Sequence, residues 1–305
     1  MYKINLCNFL SSKTSVFVRQ KSIYSGFTTS ESWVILSSIE KDIKQKIETK
    51  GIPLKDWDIN INYGIKTGYN DAFIISGEKR DELIFSDPKS EEIIRPILRG
   101  RDIKRYGYEF ADNWLITSHN GIKEKGIDPI DINDYPAVKE HLDHHYSSLE
   151  RRADKGITPY NLRNCAYMED FYRQKIVWGN LNLTAAYTVA EGGIFINAPC
   201  PIIVPANKYL LAILNSKLAD YYIRKLGVTR NGGYFEYKPM FIEKLPVPLL
   251  EREDQDVFIE IVDKILDHKA KNIDIASLEN ELNELVFKLY ELETHEVDFL
   301  KQKTN

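Results

Sequence analysis

No stretch of this chain approaches the ~20 consecutive apolar residues that a membrane-crossing helix requires, so no membrane partner is expected. Three cysteines, Cys7, Cys165 and Cys200, are too few and too scattered for a disulfide framework or a cysteine-rich zinc site. Their scarcity suits a reducing, cytoplasmic setting. The first residues mix Lys3, Asn5, Cys7 and Asn8 among apolar neighbours and form no secretory hydrophobic region. The paired glycines Gly232 and Gly233 lack the GxxxxGK[ST] pattern of a phosphate-binding loop. Excess positive charge is missing too: 41 Lys and Arg stand against 45 Asp and Glu, a net charge of −4. That balance argues against a simple basic DNA-binding domain.

What is present describes a soluble globular protein. Hydrophobic residues make up 43% of the 305 and charged residues 28%, enough for a substantial core in one large or two modest domains. The charge is unevenly spread. Arg95, Arg99, Arg101, Lys104 and Arg105 stand against Asp102 alone, whereas residues 251–305 are rich in Asp and Glu. A basic face with an acidic appendage steers DNA to one side.

Periodicity then divides the chain. Residues 1–29 read as an irregular arm or short strands, and 30–50 as a helix carrying Trp33, Leu36, Ile39 and Ile43 inward, with Ser30 as its cap. Short strands are expected at 83–85, 114–117 and 175–178, an antiparallel pair at 186–190 and 193–196, and an edge strand at 202–204. Helices are expected at 135–149, 165–172 and 209–224, and an amphipathic hairpin at 256–269 and 278–292. The expected fold is α+β, with mixed, mainly antiparallel strands, packed helices and a C-terminal helical hairpin. Its divisions are an N-terminal arm and helix at 1–50, a central domain at 51–249 and a helical region at 250–305.

The most informative stretch is DININYGIKTGYNDAFIIS, residues 58–76. Two apolar-alternating runs flank a polar segment, which predicts strand, displayed loop, strand. Gly68 permits a tight turn. Lys66 offers a phosphate-compatible charge, Asn70 a paired donor and acceptor, Tyr69 a stacking face, and Thr67 a hydroxyl. A polar hairpin without a ligand satisfies the same pattern. Around Leu98-Arg99-Gly100, the basic residues Arg99, Arg101, Lys104 and Arg105 form a turn suited to a phosphate backbone, or one that braces the fold through carboxylates. In TRNGGYFEY, residues 229–237, Gly232 and Gly233 would let Arg230, Asn231 and Tyr234 approach DNA.

The wording of residues 64–75, 94–106, 175–180 and 208–248 resembles the C-terminal specificity region of TaqI-like and Eco57I-like adenine-specific DNA methyltransferases and fused type IIG restriction-modification enzymes. The phrase NSKLADYYI within residues 215–223 is also similar to type I specificity subunits. Each motif is weak alone, and their order carries the likeness. The resemblance implies target recognition on double-stranded DNA, beside a methyltransferase or endonuclease domain or subunit. It implies no cofactor in this chain, with S-adenosylmethionine, and Mg²⁺ for cleavage, belonging to the catalytic part.

Catalysis within the chain lacks its residues. TaqI-like methyltransferases carry a Gly-rich cofactor motif and an Asn/Asp-Pro-Pro-aromatic motif, and Asn197-Ala198-Pro199-Cys200 replaces neither. Asp87-Pro88-Lys89 makes no nuclease constellation, and no catalytic or metal-ligating set is assigned. Two alternatives stay open. One is a hydrolytic site around Asp87, His119, His141 or His145; the other is an assembly module working through the acidic helical tail.

Overall fold

The computed structural model describes residues 36–227 and 229–304. The expected arm at 1–29, and Ser30 and Trp33 of the first helix, lie outside the described residues.

In chain order the main helices are α1 (Ser38–Lys50), α2 (Asn70–Phe73), α3 (Gly77–Ser86), α4 (Pro136–Asp143), α5 (Tyr146–Arg151), α6 (Lys208–Leu214), α7 (Lys217–Leu226), α8 (Arg252–Ala270), α9 (Ala276–Leu289) and α10 (Thr294–Lys303). The main strands are β1 (Asn60–Tyr63), β2 (Ile74–Ser76), β3 (Ile94–Leu98), β4 (Asn113–Ile116), β5 (Lys175–Trp178), β6 (Tyr187–Ala190), β7 (Phe195–Ile196) and β8 (Pro201–Val204). One sheet has the order β6-β5-β8-β1 and is antiparallel throughout. The other has the order β7-β3-β4-β2, with β7 parallel to β3 and the rest antiparallel. The fold is therefore α+β and mainly antiparallel.

The first sheet is covered on both faces. Ile176, Trp178 and Ile203 join a core with α1, α6, α7 and the C-terminal helices, while Val177, Ile202 and Val204 join the core beneath the second sheet. Strand alternation alone produces this division. Lys175 shares the burial of β5, its Nζ donating to the carbonyls of Glu191 and Ile194 at 2.9 and 3.1 Å. Burial pushes its ammonium down to about 8.

Several local expectations change once both sheets are in place. The segment after β1 is no hairpin loop: β1 and β2 belong to different sheets, and a single turn of helix, α2, carries Asn70, Ala72 and Phe73 between them. The expected strand at 83–85 lies in α3, which Ser76 caps by accepting from the Lys79 amide at 3.2 Å. This helix buries Leu83 and leaves Phe85 exposed. Residues 186–190 and 193–196 do not pair with each other; β6 pairs with β5, and β7 crosses to β3. The expected edge strand at 202–204 is interior, because its prolines sit at or beyond its ends and leave the amides of Ile202 and Ile203 free to pair. The expected helix at 165–172 contracts to a 3₁₀ turn, Met168–Tyr172.

Two long helices are each broken into a pair. His144 and His145 separate α4 from α5, and Asn215 and Ser216 separate α6 from α7. At the second break Ser216 caps α7, its Oγ accepting from the Ala219 amide at 3.1 Å. The Asn215 amide takes both main-chain groups of Tyr187, each at 3.0 Å. One step on, Asp220 accepts from the Ala185 amide at 3.0 Å and the Tyr237 hydroxyl at 2.5 Å. The phrase NSKLADYYI thus clamps a helix pair onto the edge of the first sheet. The C-terminal hairpin of α8 and α9 is present, extended by a third helix, α10.

Candidate nucleic-acid interface

Three loops meet where β1, β3 and β7 end. The Gly64 amide donates to Cys200 O at 2.7 Å, and the Ile65 amide to Ile196 O at 2.7 Å. The Ala198 amide returns to Ile65 O, and the Asn197 amide reaches Leu98 O, both at 2.9 Å. Residues 197–200 are therefore sewn between the loop that follows β1 and the turn that follows β3. Gly64 is required at this seam: a Cβ there would lie 2.2 Å from Ile196 O.

The first loop carries Lys66, Thr67, Gly68, Tyr69 and Asn70. With Asp154, Asn197, Ala198 and Pro199 they line a depression of 530 Å³. Gly68 has φ +71° and packs on Asp154, where a Cβ would come within 2.9 Å. Lys66 Nζ lies 2.8 Å from Asp154 Oδ2, and Arg163 lies 3.1 Å from Oδ1 of the same carboxylate. Those two cations hold Asp154 below the ordinary carboxylate range. Asp154 thus pairs with both cations. Thr67 is buried and donates to Asn70 Oδ1 at 2.6 Å, so Asn70 retains its NH₂ group for a ligand. Tyr69 packs at 5.9 Å from the His145 ring.

The loop is fastened from beneath by Arg152, which is only 7% exposed. Its guanidinium donates to the carbonyls of Thr67 and, at 3.0, 3.0 and 2.5 Å, of Asp154, Pro159 and Asn161. Burial pulls it down to about 10, still charged at neutral pH.

In the second loop Asp102 accepts from the Arg99 amide at 2.7 Å and shapes the turn. Arg99 is half-buried, and its Nε is enclosed without a partner among the described residues. Arg101 projects, 71% exposed. Lys104 donates to Arg101 O at 2.8 Å and lies 3.6 Å from Glu109. Arg105 turns the other way: it pairs with Glu279 and donates to Ala185 O at 3.0 Å and Asn215 O at 2.6 Å.

The glycine loop follows α7. Gly232 and Gly233 adopt φ +78° and +81°, and the Arg230 amide donates to Tyr234 O at 2.7 Å to close it. Arg230 and Lys238 grip the buried Glu236 carboxylate, holding it low, with Lys238 at 2.9 Å. Asn231 and Tyr234 remain exposed. This loop adjoins the first sheet through Phe235–Glu236, paired with Leu181–Asn182, and through the Tyr237 amide on Asn180 O at 2.9 Å. Asn180 Oδ1 is buried without a partner among the described residues.

Asp154, Arg163, Asn197 and Arg152 carry no sequence signal of their own; tertiary contacts alone bring them to the first loop. Three of the four residues weighed for hydrolysis make local or main-chain hydrogen bonds. Asp87 accepts from the Lys89 amide and the Ser90 hydroxyl at 3.2 and 3.1 Å. His119 Nδ1 accepts from the Gly121 amide at 3.0 Å, and His141 Nε2 lies 2.9 Å from Ala72 O.

A family model, the TaqI-like C-terminal specificity domain, matches residues 95–247, just over half of the chain. The chain belongs to this family. The same fold occurs in two solved structures. One is of MmeI, a type IIL restriction-modification enzyme in complex with DNA: 13% identity, TM-score 0.64, 82% of this chain and 35% of that one. The other is of BpuSI, a type IIG restriction endonuclease: 18% identity, TM-score 0.50, 83% of this chain and 33% of that one. The chain thus spans about a third of the length of either structure. The family match begins after the 66–70 loop, and the fold likeness extends over more of the chain than the family match does.

Proposed function

We propose that this chain is the DNA-recognition module of a restriction-modification system, positioning duplex DNA for an adenine methyltransferase or endonuclease domain or subunit. The supporting observation is the seam itself. In a specificity-domain fold, separate sequence segments bearing Lys66 and Asn70, and Arg99 and Arg101, end side by side through residues 197–200. Exposed cations there hold phosphates, and the amides reach base edges. Arg101, Lys104 and Lys66 serve the backbone, with Arg99 behind them; Arg230, Asn231 and Tyr234 extend the contact from the glycine loop. Tyr69 packs against a sugar or base. Thr67 orients Asn70, and Arg105 supports the turn from inside.

Chemistry falls to the partner, together with S-adenosylmethionine and Mg²⁺. A chain of net charge −4 binding alone has modest affinity, which a partner closing on the other side of the duplex raises. The test is selection from a randomised duplex pool, with and without a methyltransferase partner. An enriched short word supports the reading, and none under either condition rejects it. Replacing Arg99 and Arg101 by Ala lowers affinity for all sequences and reduces the salt slope by about 1 for each of the two that contacts a phosphate. Unchanged binding by the folded double variant removes those two residues from the interface.

A further inference from the structure

We infer that the depression between the 66–70 loop and residues 197–199 is a base-reading pocket, in which Asn197 acts with Asn70 on the edge of an A·T pair. This rests on the proposed DNA-recognition function and adds a residue and a base class to it.

Asn197 is positioned as a reader would be. Its main chain is held on both sides, its amide on Leu98 O at 2.9 Å and its carbonyl accepting from the Cys200 amide at 3.1 Å. It also bridges Ile65 in parallel register. Its side-chain amide makes no hydrogen bond among the described residues, although it lines the depression. A fixed backbone carrying an uncommitted donor-acceptor pair has little ordering entropy left to lose on binding. Across the depression Asn70 has one oxygen lone pair taken by buried Thr67, at 2.6 Å, and its two amide hydrogens free.

The composition of the walls selects the base. A primary amide matches adenine, accepting from N6 and donating to N7, whereas the common partners of guanine are Arg and Lys. Lys66 is the cation in this pocket, and Asp154 holds it at 2.8 Å. Guanine would have to compete with that carboxylate. Two amides and a compensated lysine therefore favour the edge of an A·T pair. The rigidity comes from Arg152, whose contact with Thr67 O fastens one wall to residues 154–161.

The experiment is the same pool selection on the full chain with Asn197→Ala, Asn197→Ser and Asn70→Ala, each checked for an unchanged melting temperature. If wild type enriches a word containing an A·T pair, each Asn197 variant should lose 10-fold or more of its preference at one such position and retain the others. Asn70→Ala should act at that position or its neighbour. A wild-type word with both Asn197 variants retaining every preference overturns the pocket assignment and leaves DNA recognition standing. Loss confined to a G·C position overturns the base assignment. If wild type enriches nothing, the underlying reading fails and the pocket with it. Should Asn197→Ala unfold, the Asn197→Ser result decides.

Discussion

The guanidinium of Arg152 lies 4.5 Å from the centroid of the Phe73 ring while donating to the carbonyl of Thr67, six residues earlier in the chain than Phe73. One buried cation therefore fixes both ends of the turn that carries Asn70. A planar fork can face an aromatic ring and reach several carbonyls at once; an ammonium cannot.

Arg152→Lys should accordingly be no conservative change. Stability is expected to fall by about 2 kcal/mol, and by about 3 kcal/mol or more for Arg152→Ala, which strands buried carbonyls. Urea denaturation measures this. In DNA selection the folded Lys variant should lose base preference near the 66–70 loop more than overall affinity. A uniform fall in affinity with preferences intact would mean that the loop's shape does not matter to reading.

Gly64→Ala tests the seam. A methyl group 2.2 Å from Ile196 O and 2.8 Å from Asn197 C has main chain on every near side, so the strand ends must separate. The expected loss is about 3 kcal/mol or more, visible as a lowered melting temperature. Gly233→Ala has no neighbour within 4 Å and carries only the strain of φ +81°, costing about 1 kcal/mol. Equal losses in the two variants would refute the crowding argument.

These contrasts show what the sequence carried. The α+β class, β5, the C-terminal hairpin and the polar character of the 66–70 loop were legible, because composition and short-range periodicity encode them. Pairing was not. The run at 195–196 looks like the return strand of a hairpin with 187–190, yet Gly192 and Gly193 take the chain to the other sheet. The break between α6 and α7 was hidden inside a good helical period. The Asn215 amide at this break meets Tyr187, 28 residues away. At the interface, residue types announced Lys66 and Arg101. Nothing local announced that Asp154 would compensate the first, or that Asn197 would sit beside it.

The joint between α1 and α7 should respond to acid. Burial is the largest single influence on the Glu40 carboxyl and would raise it, but the hydrogen bonds from Lys225 at 2.7 Å and from the Ser37 amide and hydroxyl at 2.8 Å, with the Lys225 charge, together outweigh it and pull it down to about 2. A carboxyl lower in the folded than in the unfolded state favours folding above the unfolded value. That contribution is present above about 4.5 and is lost as pH falls towards about 2. Glu40→Gln should cost about 1 kcal/mol at pH 7, since water screens the pair, and should flatten the fall in stability between those limits. Parallel pH-stability curves for the two proteins would show that Glu40 carries none of the acid sensitivity.

Arg105 supplies the sharpest contrast with its neighbours in the basic run. Arg101 projects, 71% exposed, whereas Arg105 links the segment before β6 and the α6–α7 break to α9 through Ala185, Asn215 and Glu279. Arg105→Ala should destabilise by about 2 kcal/mol, because it removes a half-buried guanidinium from two carbonyls as well as from a carboxylate. Glu279→Gln should cost less, and the double variant should cost less than the sum, as expected of residues in direct contact. If the basic run acts through its exposed members, the salt slope of DNA binding will shift for Arg101→Ala and stay unchanged for Arg105→Ala. A reduced slope with intact stability in the Arg105 variant would reverse the assignment, showing that Arg105 leaves Glu279 to hold a phosphate when DNA is bound.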